Sequence, residues 1–218
     1  MSAHPEVNQI HVRKWLTAAR MLLSQHDVIR HCDICGWFLS VDHAHLIDPA
    51  SRELLCACPA CVAALAEFED SSLHHISSGV HCLTDFQMTD EQWSALMIPT
   101  GFAFFLRSTP SGGVVAMYPG PEGLSESPVR LATWKAVMDS NPMLETLQPD
   151  TEALLVHRMS SPHGYYRVPI DRCHALAGLI KKHWRGQSGG SVVHASVARF
   201  FTELRNVANV SPRGHYQA

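Results

Sequence analysis

The stretch CDICGWFLSVDHAHLIDPASRELLCACPAC, Cys32 to Cys61, holds five of the chain's seven cysteines and two histidines. Two CxxC pairs bracket it: Cys32 and Cys35, followed by Gly36, and then Cys58 and Cys61, with 22 residues between the pairs. Two thiolates three positions apart on a tight turn can face one ion, and Gly36 lets the backbone bend around them. Two such pairs complete a tetrahedral four-sulfur shell, the preferred structural zinc site. In a reducing compartment, clustered thiols bind metal more often than they form bridges, and an odd count argues against a disulfide framework. Cys82 and Cys173 stand apart from the cluster and read as inert buried thiols.

With the first pair on a turn and the second opening a short helix over 61–68, the spacing predicts a treble-clef-like module at 31–70, with Cys32, Cys35, Cys58 and Cys61 as zinc ligands. Three residues inside it are extras. Cys56 and Cys58 of "CAC" would share one strand face about 7 Å apart, so an extended strand cannot give both to one ion. Cys56 is therefore a spare buried thiol or a substitute ligand. His43 and His45 also share a face if their segment is a strand, and with Cys56 they form a candidate additional metal site. Iron in the same four thiolates, transferring single electrons, is the alternative cofactor.

Composition sets limits on function. The chain has 218 residues, 46% hydrophobic and 17% charged, which is enough to bury a sizeable core. Its formal charge is −3 and no Lys/Arg run exceeds two residues, so no basic footprint for nucleic acid is visible. The longest apolar runs, such as "GFAFFL" at 101–106, fall far short of the roughly 20 residues of a membrane span. Arg13, Lys14 and Arg20 interrupt the N-terminal apolar pattern, which reads as an amphipathic helix over 10–26 and not as a signal peptide. A cytoplasmic location is expected.

Beyond the cysteines, "GFAFFLRS" and "VVAMYPG" predict a strand pair joined by "TPSGG", and "EALLVHRM" and "YYRVPI" a second pair across "SSPHG". Helices are expected from Thr89 or Asp90, over "ESPVRLATWKAVMDS" up to Asn141-Pro142, from a capping Asp171, and over 191–207. Residues 71–85 read as a connector, and "YPGPEGLSES" as a recognition loop or an ordinary connector. Helices interleaved with hairpin-like strand pairs predict an α+β fold: an N-terminal helix (1–30), the metal module (31–70) and a larger domain with an antiparallel sheet and packed helices (85–210). Tyr165, Tyr166, Arg167, Asp171 and His174 crowd together, but a buried strand leading into a capped helix accounts for them without function. The "SGG" at 111–113 reads as a hairpin turn; that at 188–190 reads as an inter-helix loop, with an anion-facing helix start as its alternative. No P-loop, HExxH, nucleophile elbow or dinucleotide fingerprint is present, and the sequence names no catalytic residue.

Three resemblances follow from these residues. "CDIC", "VDHAH" and "LCACPAC" resemble in order the zinc-knuckle HNH endonucleases, which would put His43 in the general-base role. No Asn lies between His45 and Cys58, however, and Val62 follows Cys61 where such knuckles often carry His. "CDICG" is similar to a rubredoxin knuckle, but the second pair lacks the following Gly. The longer motifs "DFQMTDEQWSALMIPTGFAFFLRSTPSGGVVAMYPGPEG", "NPMLETLQPDTEALLVHR", "YYRVPIDRCHALAGLIKKHW" and "FFTELR", taken with the knuckle, resemble a bacterial family of unassigned activity. Its genes tend to lie beside those for uptake-type NiFe-hydrogenases. That resemblance implies a cytosolic accessory protein whose partners are hydrogenase subunits, maturation factors or electron-transfer proteins.

Overall fold

The computed structural model describes residues 30–68, 71–77, 79–120, 123–184 and 190–210. The helix expected over 10–26 lies outside them. The cysteine-rich stretch opens with the short pair β1 (Arg30–His31) and β2 (Phe38–Leu39). The hairpin β3 (Ala44–Asp48) and β4 (Glu53–Ala57) follows, then helix α1 (Pro59–Ala66). Next come β5 (His74–His75), β6 (His81–Cys82), α2 (Asp90–Ala95), β7 (Phe102–Ser108), β8 (Gly113–Gly120) and β9 (Gly123–Pro128). The chain continues with α3 (Leu131–Ser140), a 3-10 turn (Pro142–Thr146), β10 (Glu152–His157) and β11 (Gly164–Pro169). Helices α4 (Ile170–His183) and α5 (Gly190–Val207) and strand β12 (Asn209–Val210) complete it.

Among the described residues, seven strands form one sheet in the order β12-β6-β11-β10-β7-β8-β9, antiparallel throughout except where β12 runs parallel to β6. The fold is therefore α+β, with a small cysteine module beside a larger antiparallel sheet packed by helices.

Strand β7 explains the layering. Phe102, Phe104 and Leu106 project to one face, where they meet Leu155, Val168 and the α4 and α5 residues Leu176, Ile180, Val197 and Phe201. Ala103 and Phe105 project to the other, against Trp134, Val137, Leu154 and Val156. Side chains alternate along a strand, so a run with no polar positions marks a strand covered on both faces. Burying each of Phe104 and Phe105 almost completely contributes about 1.5–3 kcal/mol.

The β3–β4 hairpin joins the module to this sheet. Its register sets His45 opposite Cys56, Leu46 opposite Leu55 and Ile47 opposite Leu54. Paired residues share a face, and the two faces do different things. Leu46 packs with Cys32, Ala57 and Cys58 on the cysteine side. Ile47 and Leu54 belong instead to the core of the large sheet, together with Ile76.

Three segments depart from expectation. The supposed connector 71–85 contains β5, which pairs with β3, and β6, which lies between β11 and β12. The polar "GLSESP" is the edge strand β9, paired along its length with β8. Pro169 is the N-cap of α4 and makes no side-chain cap bond, so Asp171 sits in the first turn and is available for another partner. The helix expected over "ESPVRLATWKAVMDS" begins only at Leu131, because residues 126–128 belong to β9, whereas the start at Thr89 agrees, with Thr89 closing a reciprocal capping box with Gln92. The "TPSGG" hairpin turns through Gly112 at φ 63°.

Candidate metal centre

Cys32, Cys35, Cys58 and Cys61 each offer one sulfur, and the four atoms all lie within 4.8 Å of one another. The local chain explains why. Gly36 takes φ 74°, a left-handed conformation that favours glycine, and its amide donates to the Cys32 carbonyl at 2.8 Å. That turn points Cys32 and Cys35 the same way. Downstream, Cys58 is the extended N-cap of α1 and Pro59 opens the helix. The Cys58 sulfur accepts the Cys61 amide at 3.4 Å, which brings the second pair together over the first helical turn. The Cys58 amide in turn donates to the Cys32 sulfur at 3.4 Å and locks the two halves face to face. The Cys35 and Cys58 sulfurs stand 3.7 Å apart. A tetrahedron with metal–sulfur bonds of about 2.3 Å has edges of about 3.8 Å, so this contact already has the span of a ligated pair.

The electrostatics agree with a cation. Burial alone would push the Cys32 thiol up, but the backbone amides of Cys35, Cys58 and Ile34 bring it down to about 6. Cys61 is pushed up to about 12, chiefly by its hydrogen bond with Cys35 and then by desolvation. The thiolate of Cys32 forms easily, and that of Cys61 is opposed by its neighbours. A bound cation is what would let all four ionise. The residues fit the ion they imply, and the cluster can hold a metal.

Asp33 fastens this turn to the hairpin. Its amide donates to the Cys56 carbonyl at 2.9 Å, and the Cys56 amide donates to Asp33 Oδ2 at 2.6 Å.

His43, His45 and Cys56 form a second group, again with ligand atoms within 4.8 Å of one another. Strand pairing sets His45 and Cys56 side by side on the face of the hairpin away from the four-cysteine cluster. His43 lies just before β3, its ring 4.9 Å from that of His45 and edge-on to it. Its Nδ1 donates to the Ser40 carbonyl at 2.8 Å. His45 Nδ1 meets Asp171 Oδ2 at 3.0 Å, a contact across 126 positions of sequence. Desolvation lowers the His45 pKa, but Asp171 and then Cys56 carry it up to about 9.

Asp171 is the residue that sequence reasoning missed; its position in a first helical turn suggested only a cap. Its neighbours scatter. Arg167 pairs with the buried Glu152, Tyr165 packs against Phe86, and Tyr166 joins the opposite core. His174 is fully buried, and desolvation lowers its pKa to about 3. His74 and His75, the nearest later histidines for a nuclease site, are exposed on β5 and belong to neither group. Burial raises the Cys173 pKa well above that of a free thiol, and that of the half-buried Cys82 as well, as befits unreactive sulfurs. Of the second "SGG", only Gly190 falls within the described residues.

Fold and site together define an α+β protein with a four-cysteine cluster able to hold a metal ion. The chain belongs to the Family of unknown function (DUF5947), whose model matches residues 31–208. That span includes both groups of candidate ligands. No curated protein and no solved structure matches the chain. Among the described residues, no helix is long and apolar enough to cross a membrane.

Proposed function

We propose that this chain is a non-catalytic zinc accessory or assembly protein of the cytoplasm, working with a NiFe-hydrogenase or its maturation or electron-transfer partners. Cys32, Cys35, Cys58 and Cys61 hold a structural Zn2+ in a treble-clef-like module over 31–70, and the α+β domain over 85–210 supports it. The observation that carries the reading is the convergence of four sulfurs from a glycine turn and a helix start, all within 4.8 Å of one another. Zinc is favoured over a rubredoxin-type iron because the second pair opens α1 in place of forming a second glycine turn. With all four positions filled by protein, the ion has no open place for substrate, which makes it structural.

The hydrogenase link rests on the motif resemblance alone. A protein partner is supported by exposed apolar side chains around the first turn: Trp37 at 69%, Phe38 at 63% and Val41 at 86% exposure. Apolar groups gathered on one exposed loop mark interaction surfaces more often than chance.

Metal analysis of the purified chain tests the first part: zinc in a colourless protein is expected, and iron with a red, reducible absorption would overturn it. The second part is tested by binding purified hydrogenase subunits and maturation factors to the wild-type chain and to Trp37→Ala/Phe38→Ser. Saturable binding lost in the variant is expected. No binding to any of them would remove the hydrogenase assignment.

A further inference from the structure

The four-cysteine cluster accounts for neither histidine of "DHAH" nor for Cys56. His43 and His45 each have a ring nitrogen committed elsewhere. The Ser40 carbonyl can only accept, so His43 Nδ1 carries the proton there. Asp171 Oδ2 fixes the proton of His45 on Nδ1 in the same way. That leaves the two Nε2 atoms as the ring positions open to a metal ion, which at His45 would displace the second proton that Asp171 and Cys56 favour. Both are buried from solvent, and neither has a hydrogen-bond partner. Leaving such an atom unsatisfied is costly, and both rings stand beside one thiol. Cys56 is 4% exposed, and its sulfur lies within 4.8 Å of a ring nitrogen of each histidine.

We propose that His43 Nε2, His45 Nε2 and Cys56 Sγ form a second metal site, distinct from the four-cysteine knuckle, for a divalent transition ion of the zinc class. Two imidazoles and one thiolate suit zinc and its tetrahedral substitute cobalt better than magnesium or calcium, which take oxygen ligands. The contact of His45 with Asp171 is the carboxylate–histidine pairing that orients metal-bound imidazoles and raises their basicity. Asp171 is a positioning residue here and not a ligand.

Two consequences follow from the geometry. Among the described residues no fourth His, Cys, Asp or Glu joins the group, so a tetrahedral ion completes its shell with water or a small exogenous ligand. This site is open where the knuckle is closed, and its ion exchanges more readily. The ligands also come from the β3–β4 hairpin while the positioning carboxylate comes from α4, so the ion ties the cysteine module to the large sheet. Asp33 couples the two centres, since it holds the Cys56 backbone to the knuckle turn.

Cobalt titration of the metal-free, reduced full chain tests the proposal, followed by absorption and by metal analysis. Four-thiolate cobalt and cobalt with two imidazoles and one thiolate differ in charge-transfer intensity and in the energy of the visible bands. About two ions per chain are expected. Cys56→Ser should remove one and leave the four-thiolate spectrum unchanged, while Cys58→Ser should remove the four-thiolate spectrum and leave the other. Asp171→Asn keeps all three ligands and should weaken the second site about 10- to 100-fold without affecting the knuckle. One ion only, unaffected by Cys56→Ser or by His45→Gln, would overturn the proposal and leave the knuckle intact. One ion that survives Cys58→Ser and vanishes in Cys56→Ser would support the proposal and sink the knuckle. If Cys56→Ser fails to fold, Asp171→Asn decides: an unchanged affinity for the weaker ion overturns the assignment.

Discussion

Asp33→Ala separates the knuckle turn from strand β4 while leaving every candidate ligand in place. The variant loses the 2.6 Å bond from the Cys56 amide to Asp33 Oδ2 but keeps the backbone bond from residue 33 to the Cys56 carbonyl. Cys56 is buried, so its amide is left with a poor substitute; an orphaned buried donor costs about 1–3 kcal/mol. Asp33 itself is exposed, so water can approach from that side and the lower part of the range applies, about 1–2 kcal/mol. That corresponds to a folded-to-unfolded ratio reduced about 5- to 30-fold. Urea denaturation of the purified protein reads the loss as a lower midpoint with an unchanged slope. Exchange of the Cys56 amide hydrogen should accelerate in parallel. Asp33→Asn keeps an oxygen that can accept the same bond and should recover most of the stability. A wild-type midpoint in Asp33→Ala would refute the clip. A loss in Asp33→Asn equal to that in Asp33→Ala would show that charge, and not the hydrogen bond, is what matters there.

Asn141 is fully buried and bonds Gln87 through both its side-chain oxygen and nitrogen, and also the Val137 carbonyl; Asn141→Ala should destabilise by about 2–4 kcal/mol in denaturant titration. Gly36→Ala should cost about 1–2 kcal/mol, visible as a lower Tm and weaker metal binding, purely through its φ of 74°, since an added Cβ meets nothing within 4 Å. His174 is held neutral, its pKa lowered to about 3 by burial, so the unfolded chain binds its proton first as pH falls below about 6.5. Its contribution to stability is complete above that pH and is lost progressively as pH falls toward 3. Between pH 6.5 and 5, stability should therefore fall more steeply in the wild type than in His174→Gln; parallel curves would contradict the assignment.

Much of this could be read locally. The knuckle was legible because its determinants lie within a few positions of each other: a CxxC spacing, a glycine where the turn needs φ above zero, and a proline beside the last pair. Strand β7 was legible because both of its faces are buried and its run is unbroken. Strand β9 was not, because an edge strand needs few apolar residues and "GLSESP" carries mainly polar ones. Strands β5 and β6 are two residues each, too short for any periodicity to register; pairing partners far along the chain define them.

The candidate sites divide in the same way. The sequence by itself determined the four-cysteine set, because ligand spacing on a turn and a helix start is a local property of the backbone. It also singled out His43, His45 and Cys56 as a candidate group, without deciding whether they join the four-cysteine cluster. Tertiary structure decided that. Pairing β3 with β4 turns Cys56 and His45 away from the knuckle, and packing α4 on the sheet brings Asp171 across 126 positions to His45. No local pattern encodes such a meeting, because it depends on the burial of two separate apolar faces against one core.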